Sequence, residues 1–160
     1  VKPVFLAYKW SANKALRVSH YGGLDVAGDS PTEWATRLQS SCQPLPSQFA
    51  TTLSELLLSL AIQLPAEQRQ LLSVIEPVNS RRSFDLNLYP LQLACGQLEG
   101  PLQQLLSEGL GLSAATAADW LQSVAEQPLG HIGWGLGGDK QPYVSLYFGA
   151  VEIAAGEYFC

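Results

Sequence analysis

The sequence predicts an α+β fold in which helices pack on one face of an antiparallel sheet of about five strands. Two observations carry this prediction. Each end of the chain has two strand-like runs around turn-forming residues, and the middle is rich in apolar residues at helical spacing. The 160 residues are expected to form one domain, residues 1–160, large enough to bury a core without disulfide bonds.

The N-terminal hairpin is predicted from two runs of alternating residues, 4–10 and 15–21. A three-residue loop at positions 12–14 joins them, and the Gly22-Gly23 pair is expected to end the second strand. Because side chains alternate between the faces of a strand, one face of this hairpin is apolar and the other carries the cations.

Three helices are predicted in the next part of the chain. Ser30 is a capping residue, Pro31 suits the first helical position, and Glu33 completes a capping box. Apolar residues at helical spacing predict a second helix over residues 47–63. A shorter third helix is expected over residues 65–76, before a proline.

The second half of the chain begins with another strand. Alternation of apolar and polar residues predicts it over residues 83–89. Helical patterns follow over residues 91–108, with breaks expected at Gly96 and at Gly100-Pro101, and over residues 114–126 behind a cap at Ser113.

The C-terminal hairpin is predicted over residues 129–153, with its turn at residues 137–142. The stretch from Gly133 to Gly138 matches G-x-G-x-x-G. That motif binds a nucleotide only between a strand and a helix N-terminus, whereas a second strand is expected here. The glycines are therefore interpreted as part of a hairpin, and no nucleotide cofactor is predicted.

The charge pattern indicates a binding partner. Only 14% of the residues are charged, against about a quarter in an ordinary domain, which suggests that a partner covers part of the surface. Residues 1–24 carry four cations and no acid, whereas residues 91–160 carry one lysine and seven acids. A basic end steers association with an acidic protein. Four dispersed cations are too weak a footprint for nucleic acid.

The three cysteines, Cys42, Cys95 and Cys160, are odd in number and far apart. This spacing argues against a disulfide framework or a zinc site and favours free thiols in a reducing compartment. The N-terminus lacks a signal-peptide pattern, and no apolar run is long enough for a membrane span. The sequence therefore predicts a cytoplasmic protein.

The two histidines, His20 and His131, both lie in predicted strands. Neither belongs to a recognisable nucleophile signature, so both are expected to be structural. Together with Asp85 they amount to three metal ligands, but their spacing does not indicate a metal site. No metal and no cofactor are predicted.

The leading functional hypothesis is a non-catalytic accessory or assembly protein that binds another protein. Its binding surface is an aromatic-rich sheet together with the basic N-terminal hairpin. Self-association through exposed sheet edges is a further hypothesis. The residues predicted to contact the partner are Lys9, Arg17, Arg81 and Arg82 as cations, with Trp10 and Tyr21 as aromatic anchors.

The run from Pro142 to Phe148 resembles a strand motif of aromatic prenyltransferases, which are barrels of repeated ααββ units. In that family a lysine and a tyrosine on the strand face the barrel interior and hold a diphosphate. Tyr147 matches the tyrosine, whereas Ser145 stands at the lysine position. The resemblance implies the alternative function, a small-molecule binding or transferase domain for an apolar phosphorylated ligand. Its pocket residues would be Arg82, Tyr89 and Tyr147.

Overall fold

The core of the fold is an antiparallel sheet whose strands lie side by side in chain order. The computed structural model describes residues 2–9, 17–26, 28–76, 81–137 and 139–148, and side chains only from residue 18 onward and not at residue 81. In this part of the chain the sheet has six strands, and each neighbouring pair is antiparallel. The strands are β1 (Lys2–Lys9), β2 (Arg17–Leu24), β3 (Leu71–Glu76), β4 (Arg81–Asn87), β5 (Leu129–Leu136) and β6 (Pro142–Phe148).

The helices are inserted between strands in two groups. Helices α1 (Pro31–Cys42) and α2 (Ser47–Ala61) connect β2 to β3, whereas α3 (Glu99–Gln104) and α4 (Ala114–Ser123) connect β4 to β5. A single π-helical turn, Leu105–Gly109, extends α3. The predicted α+β class is therefore confirmed. None of the helices among the described residues is long and apolar enough to span a membrane.

The predicted helix starts are confirmed in atomic detail. The Ser30 hydroxyl accepts a hydrogen bond from the Glu33 amide at 3.3 Å, and the Glu33 carboxylate accepts one from the Ser30 amide at 2.9 Å. At the start of α4 the Ser113 hydroxyl accepts from the Thr116 amide at 3.1 Å. Both caps satisfy amides that have no partner within the helix.

The prediction of a helix over residues 65–76 is wrong. Only a single 3₁₀ turn, Ala66–Gln68, forms, and strand β3 follows it. The apolar run of this segment is short, and a run of that length fits a buried strand as well as a helix. The β-branched Val74 and Ile75 favour the strand, and pairing on both sides with β2 and β4 decides it. This strand adds one to the five that the sequence predicts.

The helical pattern expected over residues 91–108 is divided in the structure, as the expected break at Gly96 predicts, and Gly96 lies in a separate 3₁₀ turn. A 3₁₀ turn, Cys95–Leu98, precedes α3, and the π turn follows it. Gly100 and Pro101 lie in the first turn of α3 and do not interrupt it. Proline is compatible with a first turn because its missing N–H has no helical partner there.

One boundary of the predicted hairpins differs from the prediction. The Gly22-Gly23 pair lies inside β2, which continues to Leu24. In the C-terminal hairpin β6 ends at Phe148, and the rest of the predicted strand lies outside the described residues. The loop predicted at residues 12–14 also lies outside them. The glycine-rich stretch belongs to a β-hairpin, as predicted, because Gly133 and Gly135 lie in β5 and β6 follows.

The helices cover one face of the sheet. Leu71, Leu86 and Ile132 are register partners across β3, β4 and β5, and each is 0% exposed. They share one core with the inward-facing residues of α1, α2 and α4, among them Leu38, Leu57, Leu121 and Trp34. Because strand side chains alternate, the residues between them face away from the helices.

Glycine at position 109 is a requirement of the helix packing. A Cβ atom there would lie 2.5 Å from Cδ2 of Phe49 in α2. We expect Gly109→Ala to lower the free energy of unfolding by about 1–3 kcal/mol, because overpacked core atoms must move apart. The matched control is Gly100→Ala in α3, where an added Cβ meets nothing within 4 Å. Urea unfolding of the two variants tests this, and equal stability would contradict it.

Candidate functional site

The face of the sheet turned away from the helices is polar and only partly accessible. Asp85 lies in its centre, between register partners Leu72 on β3 and Gly133 on β5. Asp85 is 5% exposed and Leu72 is 2% exposed. We call this side the open face, since no described helix packs on it. A carboxylate buried there needs a partner, because desolvation without one is costly.

The partner of Asp85 is His131. Asn87 is the register partner of His131, so Asp85 and His131 are diagonal neighbours on adjacent strands. The His131 Nδ1 atom lies 2.5 Å from Asp85 Oδ1. The side chain of Asp85 is 7% exposed and that of His131 is 23% exposed. The histidine therefore connects a buried carboxylate to the surface.

Two tyrosines fix the imidazole ring from its sides. The ring centroid of Tyr89 lies 5.2 Å from that of His131, and the Tyr147 centroid lies 6.1 Å away, both in edge-to-face geometry. Tyr89 can approach because residue 130 is glycine. A Cβ atom on Gly130 would lie 2.5 Å from Cζ of Tyr89.

A cleft of about 690 Å³ opens beside His131. It lies at the end of the sheet where β4 finishes and β5 begins. Its lining is mostly polar, and it contains no lysine, arginine, aspartate or glutamate among the described residues. The lining residues are Gln68, Gln70, Leu72, Asn87, Tyr89, Pro90, Gln92 and His131.

A second cavity, of about 20 Å³, lies further along the open face. Tyr21, Tyr143 and Tyr147 line it together with Ser83 and Asp85. Its volume suits about one water molecule. The middle of the open face is therefore largely filled by side chains, and the space for a ligand lies at the His131 end.

The hydrogen bond between Asp85 and His131 determines what the imidazole offers to the cleft. An ionised carboxylate can only accept hydrogen bonds, so Nδ1 carries the hydrogen. In the neutral ring Nε2 is then an acceptor. A histidine held in this way can accept a hydrogen bond, or a proton, from a bound hydroxyl. No described cysteine, serine or threonine contacts it as a nucleophile.

The predicted cationic residues gather at the opposite end of the sheet. Lys9 and Arg17 are register partners at the tips of β1 and β2. Arg81 and Arg82 begin β4 opposite Glu76 and Ile75. Antiparallel pairing places all four positions at the same end of the sheet.

The structure describes only one of the two predicted aromatic anchors. Trp10 lies outside the described residues, whereas Tyr21 lies on the open face. Tyr21 lines the small cavity and not the large cleft.

The alternative pocket of Arg82, Tyr89 and Tyr147 is brought together only in part. The two tyrosines flank His131. Arg82 is exposed at the other end of β4, and its register partner Ile75 belongs to the face on which the helices pack. The pairing of Asp85 with His131 is not predictable from the sequence pattern alone. The alternation of polar and apolar residues in β4 indicates that Asp85 faces away from the core. Its pairing with His131 depends on the order of the strands in the sheet.

The histidines and Asp85 do not form one cluster. His20 is exposed in β2 and is the register partner of Ile75, so it lies on the opposite face from His131. Among the described residues no group of three potential metal ligands is close enough to hold a metal ion.

Two of the cysteines belong to the helical core. Cys42 is 2% exposed and Cys95 is 0% exposed. Burial raises the pKa of the Cys42 thiol to about 11, although a hydrogen bond with Ser41 acts in the other direction. Burial also raises the pKa of Cys95. Both are packing residues, since a nucleophilic cysteine needs an accessible thiolate.

No protein-family model, curated protein or solved structure matches this chain. The resemblance of β6 to the strand motif of aromatic prenyltransferases therefore stays a prediction from the sequence. The function is therefore inferred from the residues and geometry of the site.

The raised pKa of Cys42 predicts slow alkylation in the native protein. At pH 8 a thiol with a pKa of about 11 is about 0.1% thiolate, against about a quarter for an ordinary cysteine. We expect iodoacetamide to label Cys42 at least about 100-fold more slowly than a cysteine introduced at exposed Ser40, in single-cysteine variants. Equal labelling rates would contradict the burial of Cys42.

The same shift predicts a dependence of stability on pH. The folded chain disfavours the thiolate, so the contribution of Cys42 is complete below the ordinary pKa of a thiol. It is lost as the pH rises toward about 11. Cys42→Ala should reduce this alkaline loss in urea unfolding measured between pH 8 and 10.5. An unchanged slope would contradict the prediction.

Proposed function

We propose that this protein binds a small molecule in the cleft beside His131. The observation that carries the proposal is the Asp85–His131 hydrogen bond of 2.5 Å at the edge of a cleft of about 690 Å³. A buried carboxylate that orients a partly exposed imidazole is an arrangement typical of binding and catalytic sites. This proposal retains the ligand-binding part of the alternative that the sequence suggests.

The proposal assigns distinct roles to the residues of the cleft. Asp85 positions the imidazole, and Nε2 of His131 accepts a hydrogen bond from the ligand. Tyr89 and Pro90 supply apolar surface, and the carboxamides supply donors and acceptors. A transferase reaction needs a further reactant, and the described residues of the cleft do not identify one.

The role of His131 can be tested with His131→Asn. The asparagine amide can replace Nδ1 as the donor to Asp85, whereas the acceptor Nε2 is lost. A fragment panel of sugars, nucleosides and amides is titrated into the labelled wild-type protein and followed by NMR. We expect the backbone resonances of Gln70, Tyr89 and Gln92 to shift. His131→Asn should weaken the strongest hit about tenfold or more, since one hydrogen bond is lost.

The control variant for this experiment is His20→Asn, which changes the exposed histidine on the other face. It should leave the affinity of the same hit unchanged. The proposal would be refuted if no fragment shifted the cleft resonances. It would also be refuted if the two variants had equal effects on affinity.

Docking of an acidic protein is a second candidate function, with the accessory or assembly role that the sequence predicts. The observation that favours it is the gathering of Lys9, Arg17, Arg81 and Arg82 at one end of the sheet. Positive charge concentrated in one region raises the association rate with an acidic surface. Binding to a protein partner, a cytoplasmic location and the contacts of each cation stay predictions.

Reversal of charge tests the docking function. We expect Lys9→Glu/Arg17→Glu to abolish the salt-sensitive capture of a stoichiometric protein partner from the native lysate, because attraction becomes repulsion. The matched control is Lys2→Glu, which changes a lysine at the opposite end of β1. Capture that was equal for both variants and independent of salt would exclude docking through this end of the sheet.

A further inference from the structure

We infer that the ligand of the cleft beside His131 is electrically neutral and rich in hydroxyl or amide groups, as an unphosphorylated sugar or nucleoside is. This inference rests on the proposed function and specifies its ligand class. It departs from the phosphorylated ligand that the resemblance of β6 implies. Three features of the cleft carry it, namely its charge, its fixed donors and acceptors, and the backbone at its rim.

The cleft lacks the charges that a phosphate requires. Four carboxamides, a phenol and an imidazole line it, and no described lysine, arginine, aspartate or glutamate does. Arg69 follows the lining residue Gln68, but its guanidinium lies 5.8 Å from the Trp34 ring centroid and donates to the Asp29 carbonyl at 3.1 Å. It is therefore engaged by α1 and the loop before it.

The predicted cations are too far away to serve the cleft. Asn87 lies at the cleft, and Arg81 lies at the other end of the same strand. Six residues of extended chain separate the two positions by about 20 Å. Taking a phosphate out of water without a cation costs much more than hydrogen bonds to neutral amides restore.

The hydrogen bonds among the lining residues fix which groups remain for a ligand. Asn87 donates from Nδ2 to Gln70 Oε1 at 2.9 Å, and its Oδ1 accepts from the Tyr89 amide at 3.0 Å. These two hydrogen bonds fix the orientation of both carboxamides. The Gln70 amide nitrogen has no hydrogen-bond partner among the described residues, so it is left as a donor. In the neutral imidazole that donates its Nδ1 hydrogen to Asp85, Nε2 is the acceptor that remains for a ligand.

A cleft with one fixed donor and one fixed acceptor suits a ligand that can both accept and donate hydrogen bonds. A hydroxyl or an amide supplies them without net charge. Buried or oriented polar groups also reject ligands that leave them unpaired, which makes this pair a source of specificity. The edges of Tyr89 and the surface of Pro90 suit the apolar face of a ring.

The rim of the cleft carries an unusual backbone conformation. Gln92 has φ of 51° and ψ of 40°, in the left-handed region that favours glycine. Its side chain is exposed, and it lines the cleft. Gln92 caps the 3₁₀ turn Tyr89–Leu91, and this turn brings the exposed glutamine to the rim of the cleft, where its carboxamide is available to a ligand.

Matched pairs of ligands test the inference. Two pairs are titrated into the full chain: adenosine with adenosine 5′-monophosphate, and glucose with glucose 6-phosphate. Binding is followed by NMR at the resonances of Gln70, Tyr89 and Gln92. We expect a neutral member to bind in the cleft and its phosphorylated partner to bind at least about tenfold more weakly, since the phosphate must be desolvated there.

The outcomes separate the inference from the proposed function. A phosphorylated member that bound in the cleft as tightly as its neutral partner would overturn the inference and leave the proposed function intact. If neither member of either pair shifted the cleft resonances, and the wider fragment panel also failed, both would be overturned.

Gln92→Gly is a variant that should remain folded, so a change in its affinity reports on the loss of the side chain. Glycine relieves the left-handed backbone, so the melting temperature should stay equal or rise. The affinity for the neutral hit should fall about tenfold with the loss of the carboxamide. An unchanged affinity would remove Gln92 from the site. The matched control is Gln63→Gly, a change of an exposed glutamine just after α2, which should leave the affinity unchanged.

Discussion

The packing of one row of apolar side chains under the helices determines the rest of this structure. Leu71, Leu86 and Ile132 lie side by side on three adjacent strands and are excluded from solvent. Side chains alternate along a strand, so this row also places Asp85 and Asn87 on the other face. A slip of one residue in β4 would bury a carboxylate and an amide against the helices and move Leu86 to the open face. Hydrophobic burial thus fixes the register on which the candidate site depends.

This register buries a carboxylate on the open face, and a residue on the adjacent strand pairs with it. Asp85 is almost entirely buried, and a buried carboxylate is stable only with a hydrogen-bonding or charged partner. His131 on the adjacent strand is that partner. The interaction that satisfies the carboxylate also orients the imidazole toward the cleft. Stability of the sheet and chemistry of the site therefore depend on the same contact.

The two ends of the sheet differ in their electrostatics. Cations occupy the tips of β1, β2 and β4 at one end, whereas uncharged amides surround the cleft at the other. Association with an acidic protein and binding of a neutral small molecule need these opposite properties. Among the described residues the charges are thus unevenly distributed over the sheet, and the two proposals concern its opposite ends.

The sequence by itself determined the local structure of this protein. The cap at Ser30, the helical spacing of α2 and the turn-forming residues before β6 are local signals, and each predicted its element correctly. The segment of β3 carried an ambiguous apolar run, and only pairing with β2 and β4 made it a strand. The site is a tertiary property for the same reason. Asp85 and His131 are 46 residues apart in the chain, and only the order and register of β4 and β5 bring them into contact.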